Sequence, residues 1–425
     1  MFMRNKRRWL AAGAALAVAG GGVAVAQTAT ASPAPQHCPT LHVSKGWYGE
    51  NRAKLQKMID ERGSCSGSDG AKPVATFDWD NTVVKNDISD ATLAWMLKHD
   101  QVLQPVSWKA TNKWLTDDAH RALTKACGTS VRPGRPLPTS TDTGCTDEIL
   151  DIYQDEKTSD GKTAFAGEWN HRRTVPSYVW ITQLFGGRSP ERLTALARQA
   201  RTENLAAPIG TEQKVGTHTM AGYVRYYDQQ RDLIRTLQKA GFDVYIVSAS
   251  AEPVVRAWAP GVGIDRDHVI GIRNIVRQGK LTYGVQGCGD VKDTHGEVLT
   301  YMDGKRCWIN KEIYGVKGAK AWKQQDRAHR PAFAAGDAET DVTFVGDATG
   351  ARLALNRNKT ELMCRAYDNS DGRWLINPMF IEPKKQKTEP YPCATEGYVL
   401  PDGKLAPIHR PDGSVIPDQQ DRIHG

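Results

Sequence analysis

Asp78 and Asp80 stand two residues apart, directly after the apolar run Val74-Ala-Thr-Phe77. If the chain stays extended past that run, alternate side chains share a face and both carboxylates meet one crevice. Neighbouring carboxylates in unlike surroundings divide into a nucleophile or metal ligand and a proton donor. Thr82 adds a hydroxyl to the same loop. Taken alone, this DxDxT pattern is equally that of a solvated acidic turn.

Three further places add to it. Ser248 ends the apolar run Val244–Val247, and the amides of Ala249 and Ser250 follow just before a helical stretch. A hydroxyl and free amides there suit a phosphoryl oxygen; a plain helix cap on Ser250 uses the same groups. Lys317, in Gly315-Val-Lys-Gly-Ala-Lys320, can neutralise phosphoryl charge, with Lys311 and Lys320 as rivals. Finally, Gly336-Asp337 ends another short apolar run, and Asp341 follows four residues later. Asp337 can join Asp78 around one Mg²⁺, which takes one or two carboxylates plus waters and phosphate. The spacing lacks the twelve-residue pattern of a calcium loop.

Each of these residues needs a strand end to present it. The spacing predicts a helix near 50–62, a strand over 72–77, and a long helix-prone, Trp-rich stretch from about Ser89 to Gly222. A helix ending at Gly241 and a buried strand, Phe242–Val247, come next, followed by a helix from Pro253 to Trp258. Paired strands are expected at Val269–Ile275 and Lys280–Tyr283, a helix at Lys317–Gln325, and strands at Pro331–Ala335 and Glu361–Ala366. Strands alternating with helices argue for an α/β parallel sheet. The tail from Asp368 to Gly425 is rich in Pro, Asp and Gly and reads as extended.

At 425 residues the chain exceeds one simple domain. Of its net charge of +8, four charges (Arg4, Lys6, Arg7 and Arg8) lie in the first eight residues, and +4 remains without them. No basic stripe is present, which argues against a nucleic-acid partner. The basic start, the Ala/Gly/Val run to Ala26 and the small residues at Ala29–Ala31 follow the plan of a secretory signal peptide. Cleavage before Ser32 or Gln27 is expected, and Arg7-Arg8 also allows twin-arginine export. So Gly-rich a run makes a weak spanning helix, so no stable membrane anchor is expected after cleavage. All eight cysteines follow that segment, an even number that implies disulfides in an exported chain. About 105 pairings are open; the nearest-neighbour one is Cys38–Cys65, Cys127–Cys145, Cys288–Cys307 and Cys364–Cys393. Without CxxC or HxxxH, zinc is the poorer reading.

In this order the four motifs (DxDxT after a strand, a strand-end Ser, a Lys, then GDxxxD after a strand) resemble the haloacid dehalogenase-like superfamily, specifically its phosphatases. The resemblance spans roughly Val74–Lys85 and Tyr223–Arg365. It implies a Rossmann-like core, residues 32–88 and 223–367, with a large helical cap at 89–222, after a signal peptide at 1–31 and before a tail at 368–425. It further implies that Asp78 is the nucleophile and Asp80 the acid–base. Thr82, Ser248, the Ala249 amide and Lys317 would hold the phosphoryl group. Mg²⁺ would sit on Asp78, the Asp80 carbonyl and Asp337, with Asp341 in support. Ile246–Glu252 and Leu353-Ala-Leu-Asn-Arg357 look like the phosphoserine and phosphorylcholine phosphatase branch. The expectation is a secreted phosphomonoesterase acting on a small ester. A phosphotransferase or mutase, and a non-catalytic binding protein, are the alternatives. Of the cap tryptophans Trp95, Trp108, Trp114, Trp169 and Trp180, most should be packing core, though such rings can also cage a quaternary ammonium. His171 and His218 read as surface or structural residues.

Overall fold

The computed structural model describes residues 38–66 and 71–425; the expected signal peptide lies outside them. Helix α1 (Asn51–Arg62) precedes strand β1 (Val74–Phe77), buried along its whole length. A two-residue strand, β2 (Val84–Lys85), then leads out of the core. The insertion holds α2 (Ile88–Lys98), α3 (Asp117–Cys127), α4 (Thr143–Asp155), α5 (Pro176–Leu184) and α6 (Pro190–Ala206). A hairpin of β3 (Glu212–Val215) and β4 (His218–Ala221) follows, and β5 (Arg225–Tyr226) returns antiparallel to β2.

The core resumes with α7 (Asp228–Lys239), β6 (Asp243–Ala251), α8 (Glu252–Trp258) and β7 (Val269–Ile272). A second hairpin, β8 (Asn274–Arg277) with β9 (Lys280–Val285), precedes α9 (Asp303–Glu312). Then come β10 (Phe333–Gly336), α10 (Val342–Asp347), β11 (Ala351–Asn356), α11 (Thr360–Asp368) and β12 (Trp374–Pro378). Six of these strands form one parallel sheet in the order β12-β11-β10-β1-β6-β7. The chain leaves β1 toward β6 on one side and later crosses to β10 on the other. That reversal opens a crevice at the carboxyl ends of β1, β6 and β10, where open α/β sheets bind ligands.

Local chemistry explains several boundaries. Asp87 caps α2, its side chain accepting from the amides of Ser89 and Asp90. Ser189 caps α6 in the same way, with Pro190 in the first turn. Gly241, at φ 87°, turns the chain from α7 into β6, as expected.

Three elements differ from the sequence reading. Residues 269–275 split between β7, in the main sheet, and β8, in the hairpin. Glu361–Ala366 is helical, not a strand: Leu362, Met363 and Ala366 share the face turned to the sheet, a period of three to four. The expected helix at 317–325 is a 3₁₀ turn, Gly318–Trp322.

The four disulfides pair as sequence neighbours, Cys38–Cys65, Cys127–Cys145, Cys288–Cys307 and Cys364–Cys393. They suit an oxidising compartment. Past β12 the chain folds back over the core, tied by the last disulfide and by Asp421, which accepts from Tyr367 Oη and Asn356 Nδ2. No helix among the described residues is long and apolar enough to cross a membrane.

Candidate active site

Three strand ends deliver the acidic residues to one place. Asp78 follows β1, its amide donating to the Ala335 carbonyl of β10 at 3.0 Å. The amides of Thr82, Val83 and Val84 then turn inward to the Trp79 carbonyl, and Asn81 takes a left-handed φ of 58°. Trp79 points into the core, edge-on to Tyr226, while Asp78 and Asp80 both line the cleft. On β10, Gly336 is required because a Cβ there would meet the Asp341 side chain. With that space free, Asp341 accepts from the amides of Asp337 and Ala338 at 2.9 and 3.1 Å.

Asp78, Asp337 and Asp341 are buried and present carboxylate oxygens within 4.8 Å of one another. Lys305, fully buried on α9, donates to Asp78 Oδ1 and to Asp341 Oδ1 at 2.6 Å each. Arg357, after β11, pairs with Asp337 Oδ2. Burial, then the Asp341 charge, pushes the Asp78 carboxyl well above the usual carboxylate range, against the pull of Lys305. Burial likewise raises Asp337, against Arg357. Lys305 stays protonated: burial works against its charge, but Asp341 and Asp78 outweigh it and raise its pKa.

Three buried carboxylates thus face two cations. The all-oxygen donor set and the leftover negative charge fit a hard divalent ion such as Mg²⁺. Asp78 and Asp337 are the carboxylates best placed to hold it, since Asp341 is engaged by two amides and Lys305.

Asp80 occupies a separate corner. Its Oδ1 accepts from the Ile88 amide at 2.8 Å and its Oδ2 from Ser250 Oγ at 2.7 Å. Burial, then the charges of Asp87 and Asp78, raise its carboxyl well above the ordinary range. The two aspartates of the loop therefore sit in unlike settings, one against a lysine and one against neutral donors.

Other sequence candidates land differently. Thr82 turns its hydroxyl onto Asp337 Oδ1 at 2.8 Å, orienting that carboxylate. Ser248 is fully buried, its hydroxyl accepting from the Ser250 amide at 3.2 Å; Ala249 and Ser250 line the cleft beside it. Lys317 is a correction. It is exposed ahead of its 3₁₀ turn, Lys320 is exposed too, and Lys311 lies over the Trp308 ring at 4.2 Å. The lysine in the cluster is Lys305, which the motif reading passed over. A signal existed: Lys305, Trp308 and Ile309 share the buried face of α9, an apolar register for a lysine. The sequence offers Ser250 for its amide and as a helix cap, and Arg357 as part of a motif, but not the Ser250 hydroxyl as a partner of Asp80.

The cleft has a volume of about 870 Å³. Its wall also presents Asp87, Asp90, Glu156, Tyr153, Tyr178 and Tyr301. Tyr153 Oη donates to Asp90 Oδ1 at 2.8 Å. None of the five cap tryptophans lines it. Trp108, Trp114 and Trp180 are buried in the core, with Trp95 and Trp169 packed against it. His218 pairs with Asp151, and no residue beyond Lys359 reaches the cleft.

Known proteins bear on this geometry. Residues 161–346 match the sequence model of the haloacid dehalogenase-like hydrolase family. None of the curated proteins matches the chain. Among solved structures, a conserved protein of unknown function from Anaerococcus prevotii DSM 20548 superposes with a TM-score of 0.56 at 19% identity. The match covers 80% of this chain and 94% of that one, which shows a shared fold. A Bordetella pertussis Tohama I protein of unknown function gives 0.43 at 15% identity, covering 73% and 100%. A substrate-bound phosphoserine phosphatase gives 0.30 at 14%, covering 69% and 91%. The segment matched to that family spans less than half of the chain; over it, and in its parallel sheet, the chain is similar to haloacid dehalogenase-like hydrolases.

Proposed function

We propose that this protein is a secreted, Mg²⁺-dependent phosphomonoesterase that hydrolyses a small phosphate ester with a cationic leaving group. The observation that carries the reading is the division of labour between Asp78, bound to Lys305, and Asp80, held by Ser250 and the Ile88 amide.

In the first step Asp78 attacks phosphorus as the ester P–O bond breaks, and Asp80 gives its proton to the departing alcohol oxygen. Asp80 then takes a proton from water as that water attacks the aspartyl-phosphate, releasing inorganic phosphate and restoring Asp78. Lys305 favours the ionised form of Asp78 and aims it, and the Ala249 amide at the cleft wall is the candidate donor to a phosphoryl oxygen. Bound Mg²⁺ would supply positive charge to the phosphoryl oxygens.

The cleft also supports the substrate class. Asp87, Asp90 and Glu156, with three tyrosine rings, form an anionic, aromatic wall suited to an amino or quaternary ammonium group, as in phosphoserine or phosphorylcholine. Purified protein should hydrolyse a chromogenic phosphate ester with Mg²⁺ and lose that turnover in chelator. In a substrate panel, phosphorylcholine and phosphoserine should exceed glycerol phosphate in kcat/KM. Equal rates across the panel would reject the cationic class, and no turnover of any ester would reject the enzyme.

Asp90 adds a pH signature. Burial, then the Asp87 charge, lifts its pKa to about 7, while the Tyr153 hydroxyl pulls the other way. An unfolded aspartate titrates near ~3.9. The folded state therefore binds the extra proton, so this contribution to stability is full below pH ~4 and is lost as pH rises through about 7. Urea unfolding across that window should show wild type losing stability relative to Asp90→Asn as pH rises. Parallel curves would contradict it.

A further inference from the structure

Behind the catalytic cluster lies a second cavity, of about 510 Å³, that shares no residue with the cleft. It is bounded by α9, α10 and α11, by the beginnings of β11 and β12, and by the returning tail. Its wall carries seven arginines and five carboxylates, an excess of two positive charges.

Most of these arginines are spoken for. Arg306 makes a two-pronged pair with Asp347 at 2.6 Å, and Asp371 takes both Arg352 and Arg373, at 2.8 and 3.2 Å. Arg330 is different. It lies half-buried in the wall just before β10, and no hydrogen bond engages its guanidinium among the described residues. No carboxylate among the described residues pairs with it. An unpaired guanidinium keeps its fork of donors for a ligand, and every carboxylate of the wall is already held by another arginine.

We propose that this cavity is a second binding site, separate from the catalytic cleft, for a phosphate-type dianion anchored by Arg330. The guanidinium fork matches two oxygens of such an anion, and two charges would cancel the local excess. The volume leaves room for an organic group carrying the phosphate. The site adjoins the catalytic machinery: Arg306 follows Lys305 on α9, and Thr343 of the cavity wall donates to Asp303 at the start of that helix, at 2.8 Å.

The test is calorimetric titration of the purified protein with inorganic phosphate, in chelator, so that no divalent cation supports binding at the cleft. Saturable binding is expected in wild type and equally in Asp78→Asn, weakened roughly tenfold or more in Arg330→Gln. Arg330→Gln should keep wild-type turnover. Arg373→Gln, a change at the half-exposed rim, serves if Arg330→Gln does not fold, and should weaken binding in the same direction. Absence of saturable binding up to about 10 mM overturns the proposal. So does binding that both arginine variants leave intact, or that Asp78→Asn abolishes.

Discussion

Asp78→Asn lowers turnover of any phosphate ester by roughly 10⁴-fold or more, the scale at which loss of a nucleophile is felt, while the protein stays folded. The amide is the same size as the carboxylate, and its oxygen still accepts from Lys305, 2.6 Å away in wild type. Removing one of three crowded, buried carboxylates relieves repulsion from Asp341 and Asp337. Thermal stability should therefore match or exceed that of wild type. Losing rate without losing stability separates a chemical role from a structural one. Retained turnover in this variant would remove Asp78 from the reaction and leave the acidic cluster as a binding site alone.

Lys305→Met has the opposite profile, losing stability as well as rate. The buried ammonium bridges Asp78 and Asp341, and methionine leaves both carboxylates in the core without their cation. Breaking a buried pair on one side costs about 3–5 kcal/mol, which equilibrium urea unfolding reads directly. The deficit should shrink on acidification, since a protonated carboxyl needs no counter-charge. Lys317→Met, on the surface, should stay within about ±0.5 kcal/mol of wild type and keep its activity. Equal effects at the two lysines would contradict the placement of Lys305.

The difference between these lysines shows where sequence reasoning stopped. The sequence puts Lys317 at the start of an expected helix, where a lysine can neutralise phosphoryl charge. Distance along the chain says little about which helix face meets the sheet. The Cys288–Cys307 disulfide and the buried Trp308 and Ile309 anchor α9 so that Lys305 looks into the crevice. The same limit explains Glu361–Ala366. Read alone, its apolar residues suit a strand, and only packing on β11 and β12 shows that Leu362, Met363 and Ala366 lie on one helical face. Thr82 was expected at the phosphate because hydroxyls bind oxyanions, whereas its hydroxyl donates a hydrogen bond to Asp337, 255 residues on.

By itself the sequence determined the α/β class, the two loop aspartates and the GDxxxD turn, and it offered the pairing of neighbouring cysteines as one of about 105. Each of these rests on local signals: an apolar run ending in acid, a Gly-Asp pair at a run's end, cysteines close together in the chain. Only the tertiary structure decided which lysine neutralises the cluster, that tyrosines and not tryptophans line the cleft, and that Ser250 holds Asp80. Those choices depend on side chains far apart in the chain being carried to one crevice. What carries them there is the order of the parallel sheet, with β1 between β6 and β10.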